Sequence, residues 1–91
     1  MRQEKRHKLR IFYDIICSAE HNMINSEFAR PTHIQHSSRL SYDKMVNYVE
    51  ELEKRGMISR KSGGLVCVTN KGREFTKQYS QLINPVEYAG L

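Results

Sequence analysis

Residues 31–72 read PTHIQHSSRLSYDKMVNYVEELEKRGMISRKSGGLVCVTNKG, and this stretch decides the fold. Pro31 suits the first turn of a short helix, because proline lacks the amide that would have no partner there. Residues 37–40 then form a tight connection. Ser41 suits the N-cap of a longer helix over residues 41–55, since its hydroxyl can accept hydrogen bonds from the first free amides. The stretch therefore predicts two helices joined by a few residues.

A change in apolar spacing at Gly56 marks the end of the longer helix. Within that helix, apolar residues recur every three or four positions, at Met45, Tyr48, Val49 and Leu52. Gly56 is the expected left-handed residue just past the helix end. Two alternating segments, 57–61 and 65–69, then flank Ser62-Gly63-Gly64 and predict a β-hairpin. Two strands alone are marginally stable, so we expect the hairpin to pack on the helices through Ile58, Val66 and Val68.

The chain before this stretch predicts a helix from Glu4 to His21. Its expected core positions follow helical spacing and are Leu9, Phe12, Ile16 and Ala19. Further apolar residues fill the other side, namely Ile11, Tyr13, Ile15 and Cys17. We expect this surplus face to meet either the last helix or a second subunit. Residues 22–30 show no sustained period, which predicts a loop that turns Met23 or Phe28 inward.

A fourth helix is predicted over residues 71–83, with Thr69 as its cap. The spacing of a coiled-coil seam is followed by Phe75, Tyr79 and Leu82. Pro85 is expected to end this helix near Ile83, because proline removes an amide from the helical hydrogen-bond pattern.

Length and charge limit the possible functions. The 91 residues are predicted to form one domain over residues 1–91, with a flexible basic N-terminus at 1–4 and an irregular tail at 84–91. Lys and Arg number 15 against 10 Asp and Glu, a net charge of +5, and residues 1–10 carry five basic residues against one acid. This uneven charge suggests a polyanionic partner. The short chain allows only a thin core, so oligomerisation is also expected.

The sequence predicts an intracellular protein without catalytic or metal chemistry. No apolar run approaches the roughly 20 residues that cross a bilayer. We therefore expect no export signal, a cytoplasmic location and no membrane partner. Cys17 and Cys67 are then free thiols, with Cys17 either a small core residue or a redox sensor. His33 and His36 lack further ligands at metal-binding spacing. No nucleophile and base are paired, so neither enzyme activity nor a cofactor is expected.

The predicted order of elements is helix, helix, tight turn, helix, hairpin, helix. A short helix joined to a capped, longer helix is the helix-turn-helix arrangement, and a hairpin directly after the longer helix makes the domain a winged helix. The predicted fold class is therefore mainly α with a β-hairpin, a winged helix-turn-helix.

Several short motifs carry a family resemblance over residues 5–83. They are Arg10-Ile11-Phe12-Tyr13-Asp14-Ile15-Ile16, Arg39-Leu40-Ser41-Tyr42, Tyr48, Leu52, Gly56-Met57-Ile58, Val68-Thr69 and Lys71-Gly72. In this order the motifs resemble the small archaeal winged helix-turn-helix proteins, including the dimeric basic DNA-binding proteins of the Sulfolobus chromatin class. The resemblance implies a homodimer in which the last helix pairs with its partner as an antiparallel coiled coil. The residues that would form this interface are Phe75, Tyr79, Leu82 and Ile83, although Pro85 makes the helix shorter than in the long-coil members.

A winged helix of this kind is expected to insert helix 41–55 into the major groove of double-stranded DNA, with the 57–69 wing on the backbone. The side of that helix expected to be exposed carries Asp43, Lys44, Val46, Asn47, Glu50, Glu51 and Lys54. Base contacts are expected from Tyr42, Asp43, Lys44 and Asn47. The remaining expected DNA-binding residues, which position the protein on the backbone, are Thr32, His33, Arg39, Ser41, Arg60, Lys61 and Ser62.

We therefore expect a homodimeric transcriptional regulator associated with the nucleoid. An architectural DNA-binding protein of the chromatin type is an alternative with the same fold, and it would lose little affinity when the DNA sequence is scrambled. A third possibility is a winged helix that binds proteins through an acidic surface, formed by Glu50, Glu51 and Glu53.

Overall fold

The computed structural model describes residues 6–23 and 27–83. Its elements are α1 (Lys8–Asn22), α2 (Pro31–Ser38), α3 (Tyr42–Lys54), β1 (Ile58–Arg60), a 3-10 turn (Ser62–Gly64), β2 (Val66–Val68) and α4 (Asn70–Ile83). This order confirms the predicted fold class, a mainly helical winged helix-turn-helix with one β-hairpin. The predicted flexible N-terminus at 1–4 and irregular tail at 84–91 lie outside the described residues, as does Pro85.

Helix α1 begins later than the sequence predicted. His7 has an extended backbone (φ −63°, ψ 149°), and its Nδ1 accepts a hydrogen bond from the Leu9 amide at 3.1 Å. The prediction of a helix from Glu4 is therefore wrong at Arg6 and His7, which precede the first helical turn. An imidazole that caps the helix replaces the Ser, Thr, Asp or Asn by which such a start is usually recognised.

The core lies along one broad face of α1. Five of its side chains are at most 1% exposed, namely Ile11, Phe12, Ile15, Ile16 and Ala19. The helix packs against α2, α3, α4 and β2, so its buried face is wider than a single stripe. Leu9 is 42% exposed, so its predicted core position is wrong. It lies in the first turn of α1, before Ile11, the first buried residue of that helix.

The surplus apolar face of α1 meets the last helix. The Tyr13 hydroxyl lies 2.9 Å from the Ser80 hydroxyl, and the Tyr13 and Tyr79 ring centroids are 5.2 Å apart. Arg73 also bonds to Glu20 at 3.1 Å. One of the two partners expected for this face, the last helix, is therefore present within the chain.

The connection between α2 and α3 is tight and capped on both sides. Arg39 ends α2 with a left-handed backbone (φ 59°, ψ 45°), the one positive φ outside glycine in the described residues. The predicted Ser41 cap is confirmed, because its Oγ accepts a hydrogen bond from the Lys44 amide at 3.3 Å. These two residues set the direction in which α3 leaves the turn.

The hairpin pairs antiparallel with Ile58 opposite Val68 and Arg60 opposite Val66. The three residues predicted to dock it on the helices are confirmed as buried, at 3% exposure or less; they are Ile58, Val66 and Val68. Gly56 is confirmed in the left-handed region, at φ +79°.

Ala29 gives β2 a second backbone neighbour. Its amide donates to the Val66 carbonyl at 2.7 Å and its carbonyl accepts from the Val66 amide at 2.9 Å. The predicted loop over residues 22–30 therefore includes a fully buried bridge residue that spacing did not indicate. The sequence predicted that Met23 or Phe28 turns inward, and Met23 is partly buried against the core.

Helix α4 approaches the hairpin closely through Gly72. The predicted Thr69 cap is confirmed, since its Oγ1 accepts from the Gly72 amide at 3.2 Å and donates to the Gly56 carbonyl at 2.6 Å. A Cβ added at Gly72 would overlap the Met57 carbonyl oxygen and lie 3.1 Å from Val68 Cγ1. Glycine is required here because backbone fills the space that a side chain would need.

Gly72→Ala is expected to lower the free energy of unfolding by about 1–3 kcal/mol, the usual cost of overpacking. Alanine favours an isolated helix by about 1 kcal/mol over glycine, so a net loss means that the clash outweighs helix propensity. Urea unfolding of the variant beside Lys77→Ala, an exposed position on the same helix, measures the difference. Equal or greater stability of Gly72→Ala would show that the hairpin can move away without cost.

Candidate nucleic-acid interface

The first two turns of α3 present polar side chains to solvent. Tyr42 is 54% exposed, and the other predicted base-contacting residues, Asp43, Lys44 and Asn47, are also exposed. The opposite face is buried through Met45, Val49 and Leu52. The predicted place on the exposed side is wrong for Glu51, which is half-buried, and for Val46, which is half-buried against the core. Val46 adjoins Met45 and Val49 around the helix, and the buried stripe is wide enough to include it.

The predicted backbone-contacting residues lie at three places in the fold. Thr32 and His33 are in the first turn of α2, where Thr32 is exposed and His33 Nε2 lies 3.3 Å from Ser37 Oγ. Arg39 and Ser41 are exposed and flank the turn into α3. The third group is at the hairpin turn, where the exposed residues are Arg60, Lys61 and Ser62.

Arg60 is already bound within the chain. Its Nε and Nη2 lie 3.0 and 2.9 Å from Glu53 Oε1, near the end of α3. This ion pair connects the hairpin to α3 and occupies the guanidinium that the sequence assigned to a phosphate. Lys61 remains exposed beside it and forms no ion pair within the described part of the chain.

The ion pairs divide the basic residues into two groups. The paired group comprises Arg6 and Arg10 with Asp14, Lys8 and Arg55 with Glu51, Arg60 with Glu53, and Arg73 with Glu20. Within residues 6–23 and 27–83, the basic residues without an ion pair are Arg30, Arg39, Lys44, Lys54, Lys61, Lys71 and Lys77. Of these, Arg39, Lys44 and Lys61 belong to the predicted DNA-binding set.

The acidic residues of α3 are largely neutralised by neighbours. Glu51 accepts from Lys8 at 2.7 Å and from Arg55 at 2.8 Å, and these hydrogen bonds lower the pKa of its carboxyl group. Lys8 and Arg55 both also lie over the Phe12 ring. With Glu53 bound to Arg60, the acidic surface expected from the sequence is reduced mainly to Glu50.

In the part of the chain that the structure describes, the cysteines and histidines show no reactive or metal-binding arrangement. Cys17 and Cys67 are free and half-buried, and burial is the main cause that raises the pKa of the Cys17 thiol. Because the thiolate is the reactive form, this environment does not favour a redox sensor at Cys17. Among the described residues, no three His, Cys, Asp or Glu side chains come together to hold a metal. No helix in that part of the chain is both long and apolar enough for a membrane span.

The residues predicted for a dimer interface have different environments. Phe75 is half-buried against the core, and its ring stacks on Tyr79 with centroids 5.8 Å apart. Tyr79 is half-buried and also contacts Tyr13. Leu82 is 77% exposed, and the side chain of Ile83 lies outside the described residues. Among the members whose side chains are described, Leu82 is therefore the most available to a second subunit.

Sequence reasoning missed a shallow groove of about 620 Å³ between the end of α1 and the start of α2. We call it the histidine groove, and it is lined by His21, Asn22, Phe28, Arg30, Thr32, His33 and His36. These residues come from two helices and the segment between them, so no regular spacing indicated that they meet.

Glu51→Gln is expected to lower the melting temperature at pH 7, because Lys8 and Arg55 stabilise the ionised carboxylate of the folded protein. Because folding lowers the pKa of Glu51, its ionised carboxylate stabilises the folded protein above the pKa of the unfolded chain, and this stability is lost as pH falls. The difference in melting temperature between wild type and Glu51→Gln should therefore shrink below about pH 4. Glu50→Gln is the matched control, since Glu50 is exposed and forms no ion pair among the described residues. A difference between wild type and Glu51→Gln that does not change with pH would contradict the assignment.

The fold and the comparisons with known proteins agree. A family model described as winged helix-turn-helix matches residues 5–87. The search of curated proteins returned no match. The resemblance inferred from short motifs is thus confirmed at the level of the fold family, which accounts for the tight turn, the capped α3 and the hairpin together. The chain belongs to the winged helix-turn-helix family.

Proposed function

We propose that this protein binds double-stranded DNA by inserting α3 into the major groove and acts as a transcriptional regulator. The observation that carries the proposal is the position of two basic residues without an ion pair, Arg39 just before α3 and Lys44 in its exposed, polar first turn. Membership of the winged helix-turn-helix family supports DNA as the partner. An α-helix fits the major groove, where base edges can be read.

The exposed side chains of α3 favour a sequence-reading role over an architectural one. Asn47 has the donor and acceptor needed to bond adenine in bidentate fashion, and Lys44 can donate to guanine or to a phosphate. Tyr42 offers a large exposed ring beside them. A chromatin-type protein that binds through phosphates alone needs no such side chains on its inserted helix.

Backbone contacts in this proposal come mainly from the unpaired residues. Arg39 lies at the turn and Lys61 at the hairpin, with Ser62 beside it and Thr32 and His33 on α2. Arg60 contributes less than the sequence suggested, because a phosphate must replace Glu53 as its partner. These contacts set the register of the protein on DNA without reading its sequence.

Pairing of the acids argues against the alternative of a protein-binding acidic surface. Glu51 and Glu53 are bound by basic residues of the same chain, so a docking partner would have to break those pairs.

The proposal also includes a binding role rather than a catalytic one. It includes a place at the nucleoid and kinship with the small archaeal proteins that the motifs resemble as well.

We further propose that the protein acts as a homodimer through the outer end of α4. Leu82 is 77% exposed on α4, and Leu9 is 42% exposed on α1. The antiparallel packing of α1 on α4, through Arg73 with Glu20 and Ser80 with Tyr13, places these two leucines toward the same end of the helix pair. The half-buried rings of Phe75 and Tyr79 on the same helix would form the rest of this contact surface.

Lys44→Ala is expected to weaken duplex binding and to reduce the salt dependence of affinity by about 0.9 in slope, since one phosphate contact and its counterion release are lost. Fluorescence anisotropy with a random-sequence duplex over a salt series gives both quantities. Lys77→Ala removes the same charge from an exposed position on α4 and should leave both nearly unchanged. Equal effects of the two substitutions would mean that net charge, and not α3, governs binding.

Leu82→Lys is expected to convert a dimer into a monomer, because a charge replaces the exposed apolar side chain at the proposed contact. Sedimentation equilibrium measures the mass, and circular dichroism checks that α4 remains folded. Lys77→Ala should remain dimeric. A wild-type protein that sediments as a monomer at high concentration would contradict the proposed dimer while leaving DNA binding to be judged separately.

A further inference from the structure

The histidine groove is rich in hydrogen-bond donors, and none of the described residues that line it is acidic. Arg30 contributes an exposed guanidinium that forms no ion pair within the described residues, and imidazoles come from His21, His33 and His36. Thr32 adds an exposed hydroxyl. A guanidinium that shares a groove with imidazole and hydroxyl groups suits the oxygens of a phosphate group.

The backbone around the groove adds to this chemistry. The Asn22 side-chain oxygen accepts from the Arg30 amide at 2.9 Å, which fixes the Arg30 backbone at the mouth of the groove. Arg30 is the N-cap of α2 but caps no amide with its side chain, and the first turn of α2 contains no acidic residue. The free amides at the start of a helix favour a negative ligand.

The groove adjoins the surface assigned to DNA. Pro31, next to Arg30, lies against the hairpin turn, where a Cβ built on Gly64 would be 3.6 Å from Pro31 Cγ. Thr32 and His33 belong both to the groove and to the proposed backbone contacts. The start of α2 therefore lies between the hairpin turn and the groove.

We propose that the histidine groove binds a phosphate group of the DNA backbone, with Arg30 as its main ligand and with His21 and His36 as additional donors. This inference rests on the proposed function and extends its contact surface from the turn and hairpin to the end of α1. Arg30 also gains a role that neither the spacing of apolar residues nor the predicted helix-turn-helix contacts assigned to it.

The test compares Arg30→Ala and His36→Gln with wild type in anisotropy measurements on one random-sequence duplex. Arg30→Ala should weaken binding about tenfold, as expected for a charged hydrogen bond, and reduce the salt slope by about 0.9. Lys71→Ala is the control, because Lys71 is exposed, forms no ion pair within the described residues and does not line the groove. In parallel, inorganic phosphate is titrated into the DNA-free protein while the histidine ring protons are followed by NMR.

The outcomes separate this inference from the proposed function. Tight duplex binding by wild type with an unchanged slope in Arg30→Ala overturns the groove site and leaves DNA binding through α3 intact. Failure of wild type to bind any duplex overturns both proposals as stated. Phosphate-induced shifts of His21 and His36 that vanish in Arg30→Ala, without an effect on DNA, would identify a site for free phosphate and contradict a backbone contact. If Arg30→Ala loses both duplex affinity and the phosphate-induced histidine shifts, the result supports the groove as a backbone-phosphate site.

Discussion

Burial of the apolar face of α1 is the interaction on which the rest of the structure depends. Ile11, Phe12, Ile15 and Ile16 are at most 1% exposed, and full burial of such a side chain contributes about 1.5–3 kcal/mol relative to exposure. Because α1 packs on three helices and on β2, it determines where each of them lies. The turn, α3 and the hairpin are thereby held in one fixed arrangement, which the proposed binding to a rigid duplex requires.

The second constraint is electrostatic. The net charge of +5 shows an excess of basic residues but not which of them are available to a ligand. Pairs such as Lys8 with Glu51 and Arg60 with Glu53 join elements distant in sequence, and each exposed pair adds little stability. Their larger effect is to neutralise charge at the second half of α3. Within the described residues, the unpaired positive charges then include Arg39 at the turn, Lys44 in the first half of α3 and Lys61 at the hairpin, beside Arg30, Lys54, Lys71 and Lys77.

Features governed by neighbouring residues were predictable from sequence. Pro31 at the start of α2, the caps at Ser41 and Thr69, and the left-handed Gly56 all follow from local backbone chemistry. The start of α1 was not predictable, because an imidazole serves as its cap.

Features that depend on distant contacts were missed for a different reason. The Ala29 bridge to Val66, the pairing of Arg60 with Glu53 and the histidine groove each join residues that only the folded chain brings together. Apolar spacing and caps report on single elements, whereas these contacts lie between elements. The base-contacting residues predicted on α3 are exposed, as the sequence indicated. Which basic residues lack an ion pair, and so are available to a ligand, could be learned only from the structure.

The most direct measurement compares two triple variants that lose equal charge. Arg39, Lys44 and Lys61 are replaced by alanine in one, and the paired residues Arg10, Arg55 and Arg73 in the other, with folding of both checked by thermal melts. The salt dependence of duplex affinity should fall by about 2.7 in slope for the unpaired set, at about 0.9 per phosphate contact, and remain near wild type for the paired set. Equal losses in the two variants would contradict the account, because binding would then follow net charge rather than the unpaired residues around α3.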